Sequence, residues 1–427
     1  MKFKRVISSV AATAMLAGCF TGCGKEEGSA GKSADGKIEL TLWSISTESD
    51  AFHDAYEQAI KDFEASHENV KIVHETFENE SYKTKIKSAV AANELPDVFF
   101  TWAGGFSQSF VDSGKVLQLD DYYKKYESEL SRAAVSNLIY DGKLYGSVMC
   151  TPISVMWYNQ KLFDDNGIKV PENWTEFKDA CQKFIDNGVT PIGTSAKDKW
   201  VLAMLHDALT LKSVGPEKLY SVLKKEGGSY SEADFLKSAE AIKELVDMGA
   251  FIEGAAGLSN DEASAEFYRG NAAMYFTGSW MSASIRTDAE NPSDFGVAPI
   301  PVINSSNAKL TDFMGGGSDS LMVAASTEHK DLSAELAFEI TKGVSKYGYL
   351  SGAGIPAWQV NYDDSEVPEL TKQVAKYATG ATSFTLWFDT LMESEDAGEY
   401  LTFLQKLFVG SLSPKDFQSE MAKQLEK

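Results

Sequence analysis

Two sets of side chains in this sequence have types suited to chemistry: 62 carboxylates and eight tryptophans. A pair of carboxylates hydrolyses a glycosidic bond when the two groups stand roughly 5 to 9 Å apart, a spacing that no sequence displays, so a secreted glycosidase stays open. Other catalytic arrangements are missing. The five histidines, His53, His67, His74, His206 and His329, do not form the H-E-x-x-H pattern of a zinc hydrolase. There is no G-x-S-x-G elbow and no G-x-x-x-x-G-K-[ST] loop. Gly352 to Ala357 fits G-x-G-x-x-A in form, but no strand run precedes it and Pro356 disrupts the helix a pyrophosphate needs. The sequence therefore calls for no metal and no cofactor. The tryptophans point elsewhere. Trp43, Trp102, Trp280 and Trp358 stand where a strand or crossing segment meets a loop. A flat indole with polar neighbours suits a ligand whose apolar C–H faces are ringed by hydroxyls. Nearby carboxylates and amides then fix the hydroxyls. Trp174 and Trp200 fall inside helical runs and read as core, and Trp43 reads as core with only its loop reaching outward.

The elements that must position these rings alternate. Lys37 to Trp43 alternates apolar and polar residues as a first strand, followed by a polar loop from Ser44 to Ser49 with Ser49 or Asp50 as helix cap. Phe52, Tyr56, Ile60 and Phe63 share one helix face. Val70 to Phe77, the helical run Ser81 to Ala92, and the strand at Glu94 to Trp102 continue the alternation, which means a parallel sheet covered by helices. Tyr140 to Gly146 reads as a hairpin turning at Asp141-Gly142. Val148 to Tyr158, extended and broken by Pro152, is a candidate crossing between lobes; Phe313 to Ser318 and Gly352 to Trp358 are the others. Between them, residues 199–250 read as amphipathic helix, Ala272 to Phe276 as a buried strand after a stop at Gly270, and Ser279 as the cap of a helix near Trp280. Asp331 to Gly343, Thr385 to Phe408 and Pro414 to Lys427 read as helices.

The chain opens with a basic start, Met1 to Arg5, and an apolar run, Val6 to Gly18, that is shorter than the roughly 18 residues a spanning helix needs. It reads as a secretory signal, residues 1–18. Leu16-Ala17-Gly18-Cys19 looks like a bacterial lipobox, so the expectation is cleavage before Cys19, diacylglycerol on its thiol and a flexible tether over 19–36. Cys23 is the second candidate. Loss of the leader removes Lys2, Lys4 and Arg5 from a chain of net charge −22, leaving −25. A surface this acidic repels nucleic acid and anionic headgroups and suits a neutral ligand. The 427-residue chain exceeds what one core usually serves, which implies two domains. Cys150 and Cys181 carry no metal or redox spacing and are expected as free, buried thiols.

Phe267-Tyr268-x-Gly270-x-Ala272-Ala273-Met274-x-x-x-Gly278-Ser279-Trp280 resembles a signature of the extracellular solute-binding proteins of carbohydrate ABC importers, the relatives of maltose-binding protein. Leu42-Trp43, Leu95 to Val98, Tyr158 to Phe163, Pro171 to Thr175, Gly315 to Gly317 and the run Ala334 to Ile340 fall in that family's order, so the resemblance covers nearly the whole mature chain. It implies an α/β, type II periplasmic-binding-protein-like fold of two lobes with a ligand cleft at the hinge. The expected boundaries are 37–150 plus 319–357 for one lobe and 151–318 plus 358–427 for the other.

By the same resemblance the chain is no enzyme. It implies a monomer, anchored by lipid outside the cytoplasmic membrane, that binds an oligosaccharide and delivers it to permease subunits. Trp102, Trp280 and Trp387 are similar to the family's stacking platforms. Thr47, Glu48, Ser279 and Ser318 are the expected hydroxyl partners, with Gly316, Gly317, Trp358 and Trp43 nearby. Malto-oligosaccharide is the leading ligand, ahead of xylo-, manno- and fructo-oligosaccharides, glycerol phosphate or a polyamine. The sequence departs from the maltose pattern at Ala103-Gly104-Gly105, which lacks charged residues, and at Thr151 to Ser154, which lacks a carboxylate. A scaffold lipoprotein without a small ligand is the remaining rival.

Overall fold

The structure, a computed structural model, describes residues 36–426, so the leader, Cys19, Cys23 and the tether as far as residue 35 lie outside the described residues. In strand Ile38–Ser44, Leu40, Leu42 and Ser44 point into the core while the alternate residues stay partly exposed, as a period of two requires. This strand lies between the parallel strands Val70–Thr76 and Val98–Trp102. The next strand across the sheet, Asp319–Val323, comes from far along the chain and runs antiparallel to Val98–Trp102. Gly146–Val148 closes the sheet on its other side. Asp97 ties the arrangement together. One carboxylate oxygen accepts from the Thr41 amide and hydroxyl, both at 2.8 Å, and the other accepts from the Thr327 hydroxyl at 2.6 Å.

A second sheet has the order Phe295–Ala298, Ser154–Asn159, Met274–Gly278, Ile192–Gly193. Met274–Gly278 is buried throughout, as read from Ala272 to Phe276, but it is parallel only to the short Ile192–Gly193 and antiparallel to Ser154–Asn159. Each sheet has its own hydrophobic core: Phe99, Leu321 and Phe338 in the first, Met156, Phe276 and Leu404 in the second. Cys150 and Cys181 are free and buried, one in each core. Pro299 and Pro301 stop the Phe295–Ala298 strand as expected. The hairpin Ile139–Tyr140 with Lys143–Leu144 turns on Asp141 and Gly142, both at positive φ. Among the described residues no helix is long and apolar enough to cross a membrane.

The chain passes between the sheets at 149–153, at 315–318 and near 355, and these passages touch one another. The Thr151 amide donates to the Ile355 carbonyl at 2.9 Å and the Gly316 amide to the Pro152 carbonyl at 3.0 Å. Gly315 has φ +142°, and a Cβ there would lie 2.2 Å from the Pro152 carbonyl oxygen, so the passage admits only glycine. The lobes meet again at Gly104-Gly105. A Cβ on Gly105 would fall 2.0 Å from the Met392 carbonyl oxygen. The plain Ala103-Gly104-Gly105 loop is thus a seat for the backbone of 390–392.

Helix ends differ from their expectations in four places. Helix His53–Ser66 begins after Phe52 with no side-chain cap from Ser49 or Asp50. Helix Met281–Asp288 begins without a side-chain cap, and the Ser279 hydroxyl is buried with no partner among the described residues. Helix Trp174–Asp186, whose start the sequence after Pro171 reads as capped by Thr175, is capped by Asn173. The helix expected over 385–408 is a strand, Ser383–Thr385, and two helices, Phe388–Leu391 and Ser394–Phe408. The strand pairs with Asp312–Met314, some 70 residues away, a partner that no local pattern reveals.

Candidate functional site

A cavity of about 830 Å³ opens between the two lobes. On the first lobe its wall is built by the ends of parallel strands, where loops turn toward helix N-termini. Strand Val98–Trp102 delivers Trp102, held edge-on by Phe100 (4.9 Å between centroids) and Phe106 (5.0 Å). The Lys83 ammonium lies 5.5 Å from the Trp102 ring centroid. Phe100 is itself fixed through its carbonyl, which accepts from the Tyr82 hydroxyl at 2.6 Å.

The second lobe presents a row of three indoles. Trp387, Trp280 and Trp200 follow one another at centroid spacings of 6.3 Å, tilted by 58° and 55°. Each has a local cause. Gly278 lets the chain fold Trp280 back on itself, since a Cβ there would meet the ring at 2.0 Å. The Trp387 indole donates to the Ser154 hydroxyl at 2.7 Å. Trp200 sits in the first turn of helix Lys199–Val214. Behind Trp387, the buried Asp207 accepts from the Phe388 amide at 2.9 Å and from the Tyr400 hydroxyl. His206 approaches the Asp207 carboxylate at 3.6 Å, yet burial pushes its pKa down to about 3, so the imidazole is neutral and this is no ion pair. The network is a brace for the Trp387 segment.

Carboxylates dominate the polar lining. Asp50 follows the first strand's loop, and its carboxylate accepts from the Phe52 amide at 2.9 Å. Burial pushes its pKa up to about 6, the amide opposes this, and Asp319 adds to it. Asp319, raised by burial as well, accepts from the Ser318 hydroxyl at 3.0 Å. The Thr277 hydroxyl and the Asn79 side-chain carbonyl are buried on the lining with no partner among the described residues. They are free to meet a ligand's hydroxyls. No group of three or more His, Cys, Asp or Glu among the described residues is placed to hold a metal.

Of the residues singled out in the sequence, Thr47, Trp102, Trp280 and Trp387 line the cavity together. The others stand outside its lining, each for a visible reason. Trp43 donates from its indole to Glu75 at 3.2 Å and packs on Phe77. Glu48 is exposed on the loop. Ser279 is buried behind Trp280, and Ser318 is turned to Asp319. Gly316 and Gly317 belong to the inter-lobe passage, with Gly317 packed on the Ala134 carbonyl. Trp358 is in the first core, its indole donating to the Val148 carbonyl at 2.9 Å. Sequence reasoning missed Trp200, Asp50, Asp207 and Asp319. The signal for Trp200 was its place directly after the charged run Lys197-Asp198-Lys199, which opens a helix rather than continuing one.

The fold and cleft are those of a two-lobed binding protein of the type II periplasmic class. Residues 49–340 match the profile of the bacterial extracellular solute-binding proteins, and the chain belongs to that family. An uncharacterised ABC transporter extracellular-binding protein of Pyrococcus horikoshii is 25% identical over 81% of this chain and 79% of its own. The multiple sugar-binding protein of Streptococcus mutans is 24% identical over 87% of each chain. A solved structure described under xylan utilisation by the thermophile Caldanaerobius polysaccharolyticus superposes with a TM-score of 0.87 at 34% identity, covering 90% of this chain and 99% of that one. A chitin oligosaccharide binding protein superposes at 0.83 with 24% identity, over 91% and 98% of the two chains, a likeness of fold.

Proposed function

We propose that the protein captures a neutral oligosaccharide in this cleft as a lipid-anchored monomer, tethered through Cys19 outside the cytoplasmic membrane, and delivers it to an ABC importer permease. The observation that carries the reading is the row Trp387–Trp280–Trp200 facing Trp102 across the cavity. Successive indoles offer successive apolar faces, and the surrounding carboxylates accept hydroxyl hydrogen bonds. A cavity of about 830 Å³ lies in the upper part of the range for small-molecule sites, which suits several sugar rings. Stacking plus a few such bonds is enough for the roughly −8 kcal/mol of micromolar binding. Glu78, Glu80, Asp198, Asp261, Asp288 and Asp389 alone outnumber Lys83, Lys197 and Arg269 on the lining, which argues against glycerol phosphate. Among sugars we put xylo-oligosaccharides ahead of the malto-oligosaccharides expected from sequence, because the 34% identical structure comes from xylan utilisation.

The test is titration calorimetry of the lipid-free protein with xylo-, malto-, manno- and fructo-oligosaccharides. Saturable heat with the xylo series is expected. Trp280→Ala should bind it at least about tenfold more weakly, a loss of about 1.4 kcal/mol, with the apo melting temperature little changed. Silence across the panel from a folded protein would remove the sugar reading, and shortened products after incubation would turn it into a glycosidase.

A further inference from the structure

We propose that the cleft does not end at Trp200 but continues over helix Asn260–Tyr268 into a second pocket, which takes the outer residues or a branch of a neutral oligosaccharide longer than the tryptophan row. This rests on the oligosaccharide reading above. The second pocket has a volume of about 560 Å³. Asp261, Ala265 and Arg269 line both it and the main cavity. Spaced four apart, they form one stripe of the helix and its C-terminal end, so the two spaces share a wall and adjoin along it.

The direction of the row leads there. Trp387 is braced from behind by Ser154, Trp280 follows, and Trp200 is the far member. Two residues before Trp200, Asp198 accepts from the Asn260 amide at 2.6 Å, which joins the end of the row to the start of the helix. Lys197 lines the main cavity while Glu262 lines the second pocket. The Ser259 amide and hydroxyl hold the Glu262 carboxyl below its usual range, and Lys197 adds to this across the same helix start. A chain of sugar rings leaving Trp200 therefore meets the helix stripe next.

The pocket's chemistry fits continuation of the same ligand. Ile252 and Leu258 supply apolar surface for C–H faces, and Glu253, Glu262 and Glu266 supply acceptors for hydroxyls. Its lone cation, Arg269, is already held by Glu266 at 2.5 Å, so an acidic sugar finds repulsion there. The pocket has no aromatic platform, so its contribution is an increment to affinity rather than the bulk of it.

The experiment compares dissociation constants of the trisaccharide and hexasaccharide of the bound series, by calorimetry, for the wild-type protein and the double variant Ile252→Ala/Leu258→Ala. Of the two cavities these residues line only the second; because both also pack on the lobe's cores, melting curves establish that the variant is folded. The hexasaccharide is expected to bind the wild type about fivefold tighter than the trisaccharide, and the ratio is expected to fall toward one in the variant with trisaccharide affinity kept. Equal affinity for both lengths in the wild type, or an unchanged ratio in the variant, overturns the extended cleft. Absence of binding by either length strikes the oligosaccharide reading instead.

Discussion

Burial raises Asp50 to about 6 while its carboxylate remains on the wall of the cleft beside Asp319. A carboxyl raised in the folded state holds its proton where the unfolded chain, at 3.8, has released it. The stability it lends is therefore present at acid pH and lost as pH rises toward 6. Asp50→Asn keeps an oxygen for the Phe52 amide and removes the charge. Its unfolding free energy should match the wild type's at pH 4 and exceed it at pH 7 by about 1–2 kcal/mol, once the side chain's contact with cleft water is allowed for. Equal stability at both pH values would mean that Asp50 titrates as an exposed group. Asp50 also illustrates what a sequence hides at this scale. The sequence reads Ser49 or Asp50 as the cap of the next helix, whereas helix His53–Ser66 starts after Phe52 with no side-chain cap and the Asp50 carboxylate accepts from the Phe52 amide before it. Its place on the cleft depends on the opposite lobe. Trp200 and Trp358 exchange roles for the same reason: a helix position and a crossing position each look alike in sequence whether they face solvent or core.

At the scale of elements, strands with a clear alternation, such as Ile38–Ser44, and turns with a left-handed requirement, such as Asp141-Gly142, were legible because their cause is local. The pieces between 383 and 408 were not, because a three-residue strand exists only through its partner at Asp312–Met314. The glycines after Trp102 belong with these non-local cases. They read as a missing set of ligand groups and prove to be a contact between lobes. Gly105→Ala places a methyl group against the Met392 carbonyl, so the 390–392 backbone must shift. Strain of about 1–3 kcal/mol is expected to part the lobes at this point. Small-angle scattering should then show a larger radius of gyration than the wild type, with ligand affinity lowered. An unchanged radius and affinity would show that this contact does not restrain the lobes.

The whole molecule carries an acidic surface and an acidic cleft, and it presents its ligand with few unpaired cations. For the neutral oligosaccharide proposed above, long-range attraction then has little part in binding. The dissociation constant of the oligosaccharide should change by less than about twofold between 50 and 500 mM NaCl, since screening has no ligand charge to act upon. A fall in affinity of tenfold or more over that range would indicate a charged ligand. The two lobes and the interposed cleft followed from the order of motifs along the chain, whereas the mostly antiparallel second sheet did not. The cleft's contents required the tertiary structure, because its walls are drawn from residues more than 300 positions apart.

Three indoles in sequence, each 6.3 Å from the next and tilted by more than 50°, are also an optical device. Transition dipoles this close exchange excitation, and their fixed skew makes the exchange chiral, so the row should give a signed pair of bands in circular dichroism. A molecule slid between or across the rings changes that coupling directly. A ligand stacked on the row, as proposed above, should therefore alter that pair of bands without any added label.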